Sequence, residues 1–467
     1  MSDWTPTSLR EVLGVRLITP SDARYDEARQ IFNAMHDKRP ALIAHCESTA
    51  DVVAAVNHAR ESGLDVAVRG GGHSVAGWCS CDDGLLVDLS GLKRIEVDTK
   101  TKTARAGGGV LWGEFDQATQ VYGLHTPGGR VTNTGIGGFT LGGGYGWSSS
   151  KYGLTCDNLV SAEVVLADGR VVTASEDENA DLFWGLRGGG GNFGVVTEFR
   201  LRLHELGPIV LAGLTGFALE RAPQVMPIWR DFMDKAPDEI SSAVAIISAP
   251  PEDFVPDELK GRPVLGMIVL YVGDPEQGAP AIQPLRELRP EIDLIQPMPY
   301  TVFQAMLDAT APRGLRNYFR GEYLNELPDE AIETFVAEGT TLVTEGAPFT
   351  QAVLFRIGQA VSAVADDATA FSHRDANYLV HPVSAWQDPA DDARLIAGNR
   401  AFAQAMARFA TGSPYLNFTV ETDRVRDAFG AAKYDRLVAL KDRYDPGNLF
   451  RLNQNIKPSM LAGERAA

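Results

Sequence analysis

A chain of 467 residues exceeds one ordinary core, since ~150 residues per domain is the usual prior, so two or three units are expected. Its formal net charge of −18 excludes nucleic acid and anionic membranes as partners, and no apolar run reaches the ~20 residues of a bilayer span. Four cysteines make no disulfide framework in such a length, and Met1–Pro6 has neither the basic nor the apolar region of a secretory leader, so a reducing cytoplasm is expected.

Residues 1 to about 35 read as a lead-in packed on the main body. Thr49-Ala50-Asp51 opens an Ala/Val-rich helix that Gly63 ends. Val66–Val68 is a short buried strand. Leu85–Leu89, Ile95–Asp98 and Thr103–Ala106 are separated by turn residues and predict a small antiparallel sheet. Leu111–Val121 is apolar at helical spacing and stops at Gly123. Leu159–Ala167 and Arg170–Ala174 flank Asp168-Gly169, which suits a hairpin with a type I′ turn. Asp181–Arg187 is a predicted helix and Val195–Leu203 a strand. Near Pro208 glycine clusters cease. Longer strands then alternate with amphipathic helices: Val210–Leu219, Pro223–Lys235, Ser241–Ser248 and Val264–Val272. Pro414–Phe418 opens a tail with a helix over Ala428–Asp442, and the charged residues after Leu461 read as solvated surface.

Three glycine-rich stretches carry the chemistry. Arg69-Gly70-Gly71-Gly72-His73-Ser74 follows the strand at Val66 and extends to Gly77. Glycines let backbone come close to a ligand, and successive N–H groups form a concave anion site. Arg69 at the entrance offers a forked cation, and His73 is the one nucleophile or base of the loop. Pro127–Gly138 runs into Phe139–Gly146, far richer in glycine than turns require, and a flat ring lying against bare backbone explains it. The dinucleotide spacing Gly-x-Gly-x-x-Gly between strand and helix does not occur. Cys79-Ser80-Cys81 falls short of the four ligands of a structural zinc site, and no metal is expected.

Arg-Gly-Gly-Gly-His-Ser at 69–74, Thr-Gly-Ile-Gly-Gly at 134–138 with Gly-Gly-Gly-Tyr-Gly at 142–146, Lys151–Asn158 and Asp181–Gly194 resemble the berberine-bridge-enzyme-like flavoproteins. These belong to the vanillyl-alcohol-oxidase superfamily with PCMH-type FAD-binding domains. Tyr415-Leu416-Asn417-Phe418 and Asn453-Gln454-Asn455-Ile456 resemble the family's C-terminal segment. The resemblance implies an α+β protein with three parts. Residues 1–207 form a two-lobed FAD-binding domain, 208–410 a substrate domain of antiparallel sheet backed by helices, and 411–467 a segment returning to the first. It implies FAD contacts from Arg69, Gly70, Gly71, Gly72, His73, Ser74 and Gly77 in the first stretch. Thr132, Gly135, Gly137, Gly138, Gly142, Gly143 and Gly146 follow in the second, then Gly194 and Val195 in the third, and Asn417 and Asn455 in the tail.

In the family the histidine matching His73 is attached covalently to the flavin, and many members add a second bond from a cysteine. Val131 stands at that cysteine position, so a single link through His73 is expected. Thr134 replaces the Val or Leu that controls dioxygen access, leaving dioxygen or another acceptor open. Phe418 replaces the tyrosine that serves as base in sugar and alcohol oxidases, and it cannot accept a proton. That loss tilts the reading toward amines, whose lone pair expels the hydride, or toward a base on another strand. Tyr145, Tyr415, Tyr152, Glu421 and His381 are the candidates, with Glu421 also readable as a solvated charge and His381 as structural. Asn317, Tyr318 and Arg356 are the expected substrate contacts, and His373-Arg374 reads as an exposed polar turn. The implied activity is an FAD-dependent oxidase or dehydrogenase taking a hydride from a CH–OH or CH–NH carbon of an alcohol, sugar or cyclic amine, in a monomer or homodimer. The alternatives are an oxidative ring-closing flavoenzyme of secondary metabolism and a flavin-binding protein without turnover.

Overall fold

The structure, a computed structural model, describes residues 6–421 and 424–462. The first five residues, where a leader was sought, and the charged end of the tail lie outside the described residues. The helix Thr49–Ser62 has both its ends written locally. Ser48 Oγ accepts from the Asp51 amide at 3.2 Å, and Asp51 accepts from the Ser48 amide at 3.0 Å. Gly63 closes it at φ +67°. The helix packs on a four-stranded sheet ordered Leu17–Ile18, Leu42–His45, Leu85–Asp88, Val66–Arg69.

Leu85–Asp88 therefore does not join the antiparallel sheet expected for it. It runs parallel to both neighbours, and all four of its residues are buried, as in a central strand covered on both faces. Ile95–Asp98 and Thr103–Gly107 do pair, in a separate antiparallel sheet completed by Val195–Arg202, Leu159–Val165 and Val171–Ser175. The hairpin at Asp168-Gly169 forms without a type I′ turn, which needs two left-handed residues. Only Gly169 has positive φ (+83°), and its N–H donates to Leu166 O at 2.9 Å.

From Ile209 the chain builds a nine-stranded sheet. Its long central strands are Ile209–Ala218, Pro263–Tyr271, Ile240–Ser248, Gln351–Arg356 and Tyr378–Trp386. Alternation decides its two faces. Val244, Ile246 and Leu354 turn toward the helices Ala222–Met233, Asp329–Thr344 and Asp392–Met406, where Trp229, Phe335 and Phe402 are buried against them. Ala243, Val353 and Phe355 turn the other way, onto Tyr145, Trp147 and Tyr415. The lead-in ties these halves together: Asn33 Nδ2 donates to Val75 O at 2.7 Å and to Asn317 O at 2.9 Å. The tail is pinned by Lys441, which is fully buried. Its Nζ meets Asp445 at 2.7 Å and donates to the Asn192 and Phe450 carbonyls, both at 2.8 Å.

Candidate functional site

A cavity of about 1400 Å³ opens between the glycine stretches and the inner face of the nine-stranded sheet. The first stretch leaves the strand Val66–Arg69, and Gly72 turns it at φ +71°. His73 then faces the cavity with Phe32 stacked on its ring, 3.8 Å between centroids and 16° between planes. Its Nε2 is buried with no hydrogen-bond partner among the described residues. Burial, then the Arg313 charge, pushes its pKa down to about 4, so the imidazole is neutral and holds a free lone pair at neutral pH.

The glycines divide into two kinds. At Gly71 a Cβ would lie 2.5 Å from Gly135 Cα and nearer still to its amide nitrogen, so these two loops pack backbone on backbone. At Gly138 and Gly191, both on the cavity wall, a Cβ would meet no protein atom within 4 Å, and at Gly190 only Asn192 Nδ2 at 3.7 Å. Those three leave room for something that is not protein. The tail holds the third stretch in place: Asn453 Nδ2 donates to Gly191 O at 3.1 Å and Asn192 Nδ2 to Gln454 O at 3.2 Å.

At the sheet end of the cavity stand Tyr145, Trp147, Arg130, Phe355, His381 and Phe418. His381 stacks on Phe418 at 4.1 Å and 17°. Its Nδ1 lies 2.6 Å from Arg320 O; a carbonyl only accepts, so Nδ1 carries the proton and Nε2 keeps its lone pair. Burial is the first cause holding the His381 pKa down to about 4.

Residues 40–175 match the FAD binding domain family and residues 414–457 the berberine and berberine-like family. The chain is 32% identical to an FAD-linked oxidoreductase of Dictyostelium discoideum over 90% of this chain and 89% of that one. It is 31% identical to (R)-6-hydroxynicotine oxidase of Paenarthrobacter nicotinovorans over 97% and 98%. The chain belongs to the berberine-bridge-enzyme-like FAD-linked oxidases. This oxidase also superposes on 6-hydroxy-D-nicotine oxidase from Arthrobacter nicotinovorans with a TM-score of 0.83, at 29% identity over 95% of this chain and 98% of that one. The cavity suits FAD: it exceeds the ~300–1,000 Å³ of ordinary small-molecule sites, and the bare glycines leave a side-chain-free bed.

Of the residues the sequence nominated in this oxidase, Gly70, Gly71, Gly72, His73, Ser74, Gly135, Gly137, Gly138, Gly142, Gly194, Val195 and Asn417 line the cavity, with Tyr145 and Asn317. The others are corrected by their surroundings. Arg69 turns from the loop to Asp88, 3.0 Å away, so its charge is already answered. Thr132 donates from N and Oγ1 to Asp308, at 2.8 and 2.6 Å. Gly77, Gly143 and Gly146 make room for His36, Phe371 and the Gly128 backbone, not for a ligand. Asn455 is outside the cavity wall, and its Oδ1 is buried without a partner.

Three of the catalytic candidates fare similarly, while Tyr145 stays on the cavity wall. Tyr415 lies behind the wall, accepting the Gly144 and Tyr145 amides at 3.2 Å; burial raises its pKa to about 12. Tyr152 stacks on His204 and donates to Glu205 O at 3.0 Å. Glu421 pairs with Arg320 at 2.8 Å and accepts from the Tyr318 hydroxyl at 2.9 Å. Tyr145 faces the cavity, yet its hydroxyl donates to Arg356 O at 2.5 Å. Two substrate contacts fail by strand parity. Tyr318 points at Arg400 on the helix side, and Arg356 at Asp234 and the Tyr378 ring. Arg374 is no exposed turn: it is buried against Asp157 at 2.6 Å. Sequence reasoning missed Phe32, which carries no local signal, and Arg130, whose charge inside a run of small residues was one. Among the described residues no cluster of His, Cys, Asp or Glu could hold a metal, and no helix is long and apolar enough to cross a membrane.

Proposed function

We propose that this oxidase takes a hydride from a CH–OH or CH–NH carbon of a small molecule, with its FAD linked covalently through His73 alone. When bound, FAD accepts the hydride and passes the electrons to dioxygen or another acceptor. The observation that carries the reading is the meeting, on one cavity, of a neutral His73, its Nε2 without a hydrogen-bond partner among the described residues, with glycines whose absent side chains face empty space. Val131, also on that wall, has no nucleophile to offer a second link.

The proton of the substrate heteroatom needs an acceptor, and Phe418 supplies none. His381 does. Its Nε2 lone pair is fixed by the Nδ1–H donated to Arg320 O, and its ring is held by the Phe418 stack. The carbon loses its hydrogen together with the C–H bonding pair, as hydride, and becomes a carbonyl or imine as His381 takes the heteroatom proton. Tyr145 shapes the wall and, with its hydroxyl committed to Arg356 O, does not titrate with the substrate.

Acid precipitation with intact-mass measurement tests the linkage. A yellow pellet and a flavin-sized mass gain, both lost in His73→Ala, are expected. Flavin that stays in the supernatant of the parent protein refutes a covalent bond.

A further inference from the structure

Arg130 brings a positive charge to the cavity and meets no carboxylate among the described residues. The two buried arginines are answered, Arg69 by Asp88 at 3.0 Å and Arg374 by Asp157 at 2.6 Å. The Arg130 guanidinium instead stands 4.0 Å from the ring centroid of Phe355, 4.4 Å from Tyr145 and 4.7 Å from Trp147. Its Nε is buried and has no hydrogen-bond partner among the described residues. Aromatic faces attract a cation, which holds the side chain in position. They do not satisfy five N–H donors arranged as a fork, of which the Tyr145 hydroxyl oxygen takes one. A half-buried charge with its Nε enclosed in this way is costly until an anion completes it. All three rings belong to the apolar cluster on the inner face of the nine-stranded sheet, so the unanswered donors sit at the substrate end of the cavity.

We propose that Arg130 is the receptor for a carboxylate on the substrate, an inference that rests on this cavity being the site of hydride removal. The substrate is then an organic acid bearing the oxidisable CH–OH or CH–NH group, not a simple ammonium. A carboxylate matches the guanidinium fork with two parallel hydrogen bonds. A protonated amine there would meet like charge with little water to screen it. Burial lowers the Arg130 pKa to about 10, with Tyr145 and Tyr415 acting in the opposite direction, so the charge persists throughout the neutral range.

Calorimetric titration of the flavin-loaded enzyme tests this with benzoate, indole-3-acetate and cyclohexanecarboxylate, each against its primary amide. At least one acid is expected to bind about tenfold or more tightly than its amide, roughly 1.4 kcal/mol. Arg130→Gln should reduce that ratio to near unity, and Arg130→Lys should retain part of it, with melting temperature confirming both variants fold. Equal binding in every pair, no binding by any of the acids, or a preference that survives Arg130→Gln overturns the proposal. So does an Arg130→Gln variant whose flavin potential shifts while the acid-to-amide ratio stays, since Arg130 would then serve the flavin ring. A colourless preparation refutes the flavin site itself, whereas a yellow one without acid preference refutes only the anion receptor.

Discussion

Alanine at Gly71 and alanine at Gly138 should act in opposite directions, because the two glycines are absent side chains for different reasons. A Cβ on Gly71 would stand 2.5 Å from Gly135 Cα and 3.0 Å from Leu111 Cδ2, where ordinary contact begins at 3.4 Å. One backbone must move by roughly 1 Å, and overpacking of that kind costs ~1–3 kcal/mol. Gly138 lies inside the short helix Ile136–Leu141, and a Cβ there touches no protein atom within 4 Å. Without flavin, alanine there gains up to ~1 kcal/mol of helix propensity. With flavin, the same methyl intrudes on the ring's bed, and ~1–3 kcal/mol of overpacking weakens loading about 5- to 150-fold. The assay is paired: melting temperature of apoprotein from flavin-starved cells, and flavin absorbance per mole of protein after loading. Gly71→Ala should melt several degrees lower. Gly138→Ala should melt at or above the parent temperature yet load poorly. A Gly138→Ala protein that takes up flavin like its parent, or a Gly71→Ala apoprotein of undiminished stability, refutes the division of glycines into packing and cradle.

His381→Gln should slow anaerobic flavin reduction by ~10²–10⁴ while flavin content holds, read by stopped-flow absorbance. A change under about threefold would mean the proton leaves by another route. The same variant reports on acid stability. His381 has its folded-state pKa depressed to about 4 by burial, so below the unfolded value of ~6.5 the unfolded chain takes up a proton that the folded one refuses. Its stabilising effect is complete above ~6.5 and is lost as pH falls toward 4, on the order of 3 kcal/mol. The parent should therefore lose melting temperature between pH 7 and 4.5 more steeply than His381→Gln; parallel curves would sink the assignment.

Local features were legible wherever the deciding contact is near in sequence. Ser48 and Asp51 cap each other, Gly63 ends their helix, and the glycine stretches announce a flavin family without any fold in hand. Parity was legible only by half. Alternation says that Asn317 and Tyr318 face opposite ways, but not which one sees the cavity; the helix Asp392–Met406 covering one face settles that. Glu421 looked like a free carboxylate because Arg320 lies a hundred residues away along the chain.

By itself the sequence determined which chemistry each position can offer: a nucleophile at His73, none at Val131, no proton acceptor at Phe418, and glycine wherever backbone must pass close. Tertiary structure alone decided how those offers are used, since that depends on groups distant along the chain. Among the described residues, Asp88 neutralises Arg69 while no carboxylate meets Arg130, and Gly135 fills the space beside Gly71 while no protein atom fills the space beside Gly138; the strand carrying His381 brings an imidazole against Phe418.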